Sequence, residues 1–278
     1  MFMKIFISAL TFALIGISIA DDAKPKSIHV IVALCDNEHQ GIFPVNPKIG
    51  NGDDLENNLY WGCSDGMSRY FKNSNDWTLT ETKKVDPAVK NPTVLETLVF
   101  KHKKTGAILT AEAWRGREIK GAIQKFTDLL NDEETDLVAY IGHNGLMEFD
   151  VLQKAPTTPR KTKKDAVVLC CKSDAYFDTM LTTAGVSPVL MTDQFMYPGS
   201  FLLKAAIDGW LLGESPHKNS GSCRCSLRKE SKDPRFRCER CFYPSQKRRS
   251  ITSLDFISSF RPAFDTDREV KEINRNKA

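Results

Sequence analysis

The sequence predicts an α/β protein with a mostly parallel sheet that is covered by helices on both faces, a three-layer α/β/α sandwich. Strand-like and helix-like segments alternate over about 190 residues, which is typical of parallel sheets with crossover helices. Two of the strand-like segments, residues 137–142 and 166–170, are apolar throughout and lie between charged stretches. Continuous apolar runs of this length are typical of strands buried on both faces of a parallel sheet.

The other elements follow from local patterns. Residues 27–35 are an apolar run that leads into the polar string 36–41, which we expect at the carboxyl edge of the sheet. Residues 53–71 place apolar side chains at helical spacing after a candidate N-cap, Asp53 or Asp54, and predict an amphipathic crossover helix. The remaining predicted elements are a hairpin of strands 94–102 and 107–114, helices 117–130, 174–184 and 201–212, and strand 188–192.

Composition divides the chain into three parts. Residues 1–20 combine Lys4, an apolar stretch and the sequence Ser-Ile-Ala before two aspartates, a pattern typical of a secretory signal peptide. Residues 21–215 are then the α/β domain, and residues 216–278 are a basic, cysteine-rich C-terminal extension. We therefore expect an exported protein, periplasmic or extracellular. The apolar stretch is short for a membrane anchor, so an anchored form is the less favoured alternative.

Charge differs between the body and the extension. Residues 21–216 contain 22 Lys and Arg against 27 Asp and Glu, a net charge of −5, whereas residues 217–278 contain 16 against 8, a net charge of +8. The acidic body carries no nucleic-acid-binding motif, so we expect no nucleic-acid partner. The basic extension is either solvated or in contact with an anionic envelope surface.

Eight cysteines must be interpreted for an oxidising compartment. Cys35 and Cys63 are either a disulfide or separate thiols near buried elements. Four more lie in the extension as two close pairs, a spacing compatible with two disulfides, a zinc knuckle, or free or partly paired thiols, and export favours the disulfides. These four are Cys223, Cys225, Cys238 and Cys241. Apart from this less favoured zinc site, the sequence predicts no cofactor.

The main functional signal lies at the ends of two predicted strands. The run 137–142 leads directly into His143, and the run 166–170 leads into Cys171. Because the carboxyl ends of parallel strands meet at one edge of the sheet, we expect the two side chains to face a common cleft. A thiol beside an imidazole is a nucleophile with its base.

These strand ends resemble those of the caspase-like cysteine peptidases, the group that includes legumain, clostripain, gingipain and separase. In that family one buried strand ends in His-Gly and a later one in Ala-Cys, so His143 matches the base and Cys171 the nucleophile. The resemblance covers roughly residues 28–212 and implies the caspase-hemoglobinase fold. In this chain Asn144 follows the histidine where the family usually has glycine, and Cys170 stands where alanine is usual.

The resemblance implies acyl transfer on a protein or peptide substrate. Cys171 would attack the scissile carbonyl, and His143 would protonate the leaving amine and then activate water. The backbone N–H groups of Cys171 and of Asn144 or Gly145 are the expected oxyanion donors.

Candidate substrate-binding residues are polar side chains that follow two of the strands. An acidic lining would favour a basic substrate residue. The candidates are Asp36, Glu38, His39 and Asp174.

We therefore expect an exported cysteine endopeptidase that uses His143 and Cys171. The alternative is a catalytically silent relative that holds a peptide or an envelope component at the same edge, and Asn144 is the feature that keeps this alternative open. A third hypothesis is a structural envelope protein that adheres through its basic extension. The sequence does not specify an oligomeric state.

Overall fold

The computed structural model describes residues 24–85, 88–153 and 163–214, which belong to one compact unit of the chain. In this part of the chain seven strands form one sheet and four α-helices pack against it. Their order is β1 (Ser27–Ala33), α1 (Met67–Lys72), β2 (Trp77–Lys84), β3 (Val94–His102), β4 (Ile108–Trp114), α2 (Ile119–Leu130), β5 (Leu137–Ile141), β6 (Asp165–Leu169), α3 (Ser173–Thr183), β7 (Ser187–Leu190) and α4 (Ser200–Leu211).

The sheet is mixed but mostly parallel. Its strand order is β2-β3-β4-β1-β5-β6-β7. Strand β1 pairs in parallel with β4 and β5, and β6 pairs in parallel with β5 and β7, whereas β3 is antiparallel to both β2 and β4. The prediction of an α/β protein with a mostly parallel sheet is confirmed. From residue 94 onward each predicted strand and helix is found within two residues of its expected bounds.

Both faces of the sheet are covered. Along β5, Leu137, Ala139 and Ile141 face one core, and Val138 and Tyr140 face the other. Helices α1 and α4 complete the first core, and α2 and α3 complete the second. Each fully buried Val, Leu, Ile or Phe contributes about 1.5–3 kcal/mol relative to exposure. The two-sided burial is the reason why β5 is apolar at every position.

The prediction of a helix over residues 53–71 is wrong except for its final turns, which are α1. The residues before α1 form successive turns because polar side chains bind their backbone. The Asp54 carboxylate accepts the N–H groups of Glu56 and Asn57 at 2.9 and 3.1 Å. The fully buried Asn58 side chain bonds to both the N–H and the carbonyl of Cys35. Such bonds offer the backbone an alternative to the helical ladder.

Strand β2 is not among the predicted elements. Trp77 and Leu79 alternate with threonines, but the charged residues that follow break the apolar pattern, and of the whole strand only Trp77 is buried. The strand forms because the backbone of β3 offers a ladder to pair with.

Several predictions concern residues outside the described ranges: the signal peptide 1–20, the extension 216–278 and its four cysteines. Among the residues that the structure describes, no helix has both the length and the hydropathy needed to cross a bilayer.

Candidate active site

His143 and Cys171 follow two neighbouring strands at the carboxyl edge of the sheet. Strands β5 and β6 are parallel, with Ile141 opposite Leu169. The Gly142 N–H donates to the Leu169 carbonyl at 3.3 Å and extends this pairing by one residue. His143 and Cys171 are each the second residue after the Ile141–Leu169 pair. The register therefore brings the two sequence-predicted residues to the same point of the edge.

The His143 side chain is only 8% exposed, and the residue is held at both its ring and its backbone. Its Nε2 lies 2.6 Å from Oε1 of Glu148. Its carbonyl accepts the Tyr140 hydroxyl at 2.7 Å. Tyr140 is fully buried, stacks on Phe177 and meets the Phe126 ring edge to face. Packing in the second core thus fixes the backbone of His143, and Glu148 fixes the ring.

No sequence signal singles out Glu148. It follows the turn Gly145–Met147. Outside a helix, a spacing of five residues does not determine whether two side chains lie close together. Its Oε1 also accepts the Gly41 N–H at 2.9 Å. Because Gly41 ends the polar string after β1, the Glu148 carboxylate links the loop after β1 to the loop after β5.

Asn144, the departure from the glycine that is usual in caspase-like peptidases, connects the two strand ends. Its side chain is fully buried, and Nδ2 donates to the Cys171 carbonyl at 2.7 Å. Its Oδ1 is buried and has no hydrogen-bond partner among the residues described. A glycine at this position could not tie the two turns together.

Cys171 carries a free, half-buried thiol. Its Sγ lies 3.5 Å from the backbone nitrogen and 3.6 Å from the carbonyl oxygen of Met196. Burial raises the pKa of the thiol above its ordinary value, and the Met196 N–H and the positive charge of Lys172 offset part of the rise. The neutral thiol therefore predominates at about pH 7.

The thiol and the imidazole do not share a hydrogen bond in this part of the chain. The partner of Sγ is the Met196 backbone, and the partner of the His143 Nε2 is Glu148. The His143 Nδ1 makes no hydrogen bond within the described ranges. The arrangement is thus a neutral thiol and an imidazole whose second nitrogen remains available for a proton.

Two buried hydroxyls fix the turn that carries Cys171. The Ser173 Oγ donates to the Val168 carbonyl at 2.9 Å and accepts the Thr192 N–H at 2.8 Å. The Thr192 Oγ1 in turn donates to the Cys170 carbonyl. Both hydroxyl side chains are fully buried. Their pairing depends on the contact between β6 and β7, so the sequence alone does not reveal it.

Of the three predicted oxyanion donors, one is already engaged. The Gly145 N–H donates to the His143 carbonyl at 3.1 Å. The N–H groups of Asn144 and Cys171 make no hydrogen bond to another of the described residues. These two groups are therefore the ones that remain for a substrate oxygen.

Asp36, a predicted substrate-binding residue, organises its own loop. Its carboxylate accepts the N–H groups of Glu38 and His39 at 2.9 and 3.2 Å, and Oδ2 lies 3.0 Å from the His39 Nδ1. The side chain is buried against Gly52 and Gly116, where an added Cβ would come within 2.3 and 2.4 Å of it. Glu38 and His39 are exposed beside it.

Asp174, the fourth candidate, lies in the first turn of α3. Its N–H donates to the Thr192 carbonyl at 3.1 Å, and its Oδ1 accepts the Ala175 N–H at 2.7 Å. Burial raises the pKa of its carboxyl. Of the four candidates, Asp174 is therefore the one on the segment that immediately follows Cys171.

Cys35 and Cys63 do not form a disulfide, since both thiols are free. Cys35 is fully buried, and burial raises its pKa to about 12. Burial also raises the pKa of the Tyr60 hydroxyl, and ionisation of Cys35 or Cys171 would raise it further. The Tyr60 hydroxyl thus lies within electrostatic range of the thiols at the ends of β1 and β6.

Replacing Asn144 by alanine is expected to lower the free energy of unfolding by about 1–2 kcal/mol, because the Cys171 carbonyl loses its donor. Loss of the unpartnered Oδ1 offsets part of the cost. Asn144→Asp keeps the size but removes the donor, so it should be at least as destabilising. Urea unfolding followed by circular dichroism measures both changes. An unchanged unfolding midpoint for Asn144→Asp would contradict a stabilising role for the hydrogen bond from Asn144 to the Cys171 carbonyl.

Within the described ranges, no group of three or more His, Cys, Asp or Glu side chains is arranged to hold a metal ion. The four cysteines of the candidate zinc knuckle lie outside these ranges. Comparison of the chain with protein-family models, with curated proteins and with solved structures gives no match.

Proposed function

We propose that this chain is an exported, caspase-like cysteine endopeptidase in which Cys171 is the nucleophile and His143 its base. The observation that carries the proposal is the parallel register of β5 and β6, with Ile141 opposite Leu169, because it sets the imidazole and the thiol on neighbouring strand ends. The likeness of these strand ends to those of caspase-like peptidases supplies the acyl-transfer chemistry.

The raised pKa of Cys171 favours general-base catalysis over a preformed thiolate. The Sγ proton passes to Nδ1 of His143 as sulfur bonds to the scissile carbonyl carbon. The same proton then goes to the departing amine as the C–N bond breaks. In the second half, His143 takes a proton from water and the hydroxide attacks the thioester carbonyl carbon. The C–S bond then breaks, the carboxylic acid leaves, and the proton returns to sulfur.

The backbone N–H groups of Asn144 and Cys171 are suited to the negative oxygen that forms on the substrate carbonyl. Losing one such donor typically costs about 10²- to 10³-fold in rate. Because Asn144 also holds the Cys171 carbonyl, its side chain keeps the two donors at a fixed spacing.

A catalytically silent binding protein is the second candidate, and two observations favour it. The Cys171 thiol bonds to the Met196 backbone instead of the imidazole, and the Gly145 N–H is engaged with the His143 carbonyl. In such a protein the same edge would hold a peptide or an envelope component without cleaving it.

Alkylation by iodoacetamide, quantified for each cysteine by peptide mass spectrometry, separates the two candidates. We expect Cys171 of the full-length reduced protein to react faster than Cys63, the other half-buried thiol of the described ranges, which serves as an internal reference. With His143 as base, the rate should remain high down to about pH 7 and fall by about 10²-fold in His143→Ala. The Cys63 rate should be the same in both proteins.

The opposite outcome is a Cys171 rate that rises tenfold with each pH unit up to the thiol pKa and is identical in wild type and His143→Ala. That profile belongs to a buried thiol without a base, and it would refute the peptidase and support the silent binding protein.

A further inference from the structure

We propose that Glu148 is a positioning residue of this site: it fixes the tautomer of His143 and holds the ring so that Nδ1 receives the proton of Cys171. The inference rests on the proposed function and adds a third side chain to it. The contact that carries it is the 2.6 Å approach of the Glu148 Oε1 to the His143 Nε2.

The chemistry of the pair determines where the imidazole proton sits. An ionised carboxylate can only accept hydrogen bonds, so the nitrogen that faces it must carry the hydrogen. In the neutral ring this places N–H on Nε2 and leaves the lone pair on Nδ1. Nδ1 makes no hydrogen bond within the described ranges, so it is the nitrogen that can act as the base.

The Glu148 carboxylate is held in place by a second donor. Its Oε1 accepts the Gly41 N–H at 2.9 Å as well as the imidazole N–H. A Cβ at position 41 would come within 2.1 Å of this oxygen, so a larger residue there would displace the Glu148 carboxylate. The Gly41 N–H and the imidazole thus locate the carboxylate between the loop after β1 and the loop after β5.

The exposure of Glu148 indicates what kind of effect to expect. Its side chain is 37% exposed, whereas that of His143 is 8% exposed. Water screens the carboxylate charge at this exposure, which limits its electrostatic effect. The geometric effect on ring orientation and tautomer is therefore the larger one, as in other sites where a third group orients a base.

Nitrogen NMR of the histidine side chains tests the tautomer directly, with the His143 signals assigned from His143→Asn. We expect N–H on Nε2 in the wild type and a mixture of tautomers in Glu148→Ala. Glu148→Gln keeps an acceptor oxygen and should recover part of the preference. Asp150→Ala removes an exposed carboxylate from the same loop and should match the wild type.

The alkylation rate of Cys171 gives the second readout. At about pH 7 we expect Glu148→Ala to react about 10- to 100-fold more slowly than wild type, Glu148→Gln to lie between them, and Asp150→Ala to be unchanged. Gly41→Ala retains the charge of Glu148 but displaces its carboxylate, so it should also lower the alkylation rate of Cys171. Equal melting temperatures would show that these changes are not a loss of folding.

The outcomes separate the two proposals. If wild-type Cys171 reacts no faster than Cys63, the proposed peptidase fails whatever the tautomer is. If Cys171 depends on His143 but Glu148→Ala is as fast as wild type with the same tautomer, the peptidase stands and the role of Glu148 is refuted. A faster Glu148→Ala would also refute it, because the contact would then restrain the ring away from the thiol.

Discussion

Asn58→Ala is expected to lower the free energy of unfolding by about 4 kcal/mol. The side chain is fully buried in the turns that precede α1. Its Oδ1 accepts the N–H groups of Cys35 and Tyr60, each at 3.1 Å, and its Nδ2 donates to the carbonyls of Cys35 and Asn51, each at 2.9 Å. Alanine leaves four backbone groups without these partners, at about 1–3 kcal/mol for each group that water does not reach.

Urea unfolding followed by tryptophan fluorescence measures this loss. Asn57→Ala is the matched control, since its half-buried Nδ2 makes a single bond, to the Asp54 carboxylate at 2.8 Å, and should cost less than about 1 kcal/mol. Asn58→Asp keeps the acceptor, but its buried carboxyl faces the two carbonyls that Nδ2 serves, so it should be at least as destabilising as Asn58→Ala. Equal losses for Asn57→Ala and Asn58→Ala would contradict the assigned role.

Ser173→Ala is expected to lower the free energy of unfolding by about 2–3 kcal/mol, because the buried Thr192 N–H loses its acceptor and the Val168 carbonyl loses a donor. The same change frees the turn that carries Cys171. We therefore expect the iodoacetamide reactivity of Cys171 to lose its dependence on His143, since misplacement by about 1 Å can cost about 10²-fold in rate.

Thr182→Val on the exposed side of α3 is the control for Ser173→Ala and should change the free energy of unfolding by no more than about 0.5 kcal/mol.

Thr192→Val removes the other hydroxyl of the pair. The double variant with Ser173→Ala should cost less than the sum of the single variants, because the two hydroxyls bond to each other at 3.1 Å. Additive losses would show that the hydroxyls act independently.

Periodicity predicts the central part of the fold because burial on both faces leaves a strong pattern. Strand β5 is apolar at every position, β6 is apolar after Asp165, and helices α2 and α4 follow a helical period of apolar residues. The segment before α1 misled the same reasoning. Its apolar residues recur at helical spacing, but the Asn58 and Asp54 side chains accept backbone N–H groups of the same segment, those of Tyr60 and Glu56.

The site could be predicted only as far as strand ends determine it. His143 and Cys171 lie where parallel strands share an edge, so the strands alone imply their proximity. Glu148 is held by the N–H of Gly41, which is 107 residues away in sequence, and this contact depends on the paths of two loops. Ser173 and Thr192 meet because α3 returns the chain to β7, and common hydroxyl residues carry no mark of such a meeting.

Strand β2 lies at one margin of the sheet, and its residues affect whether another copy of the protein can pair with it. Unpaired backbone at a sheet margin invites strand addition from another molecule. Here the marginal strand is exposed after Trp77, carries the Lys83–Glu81 ion pair, and changes register between Leu79 and Glu81. Charged side chains and a bulge oppose the flat alignment that cross-molecular pairing requires. The polar residues that oppose strand addition at β2 are also the residues that interrupt its apolar pattern in the sequence.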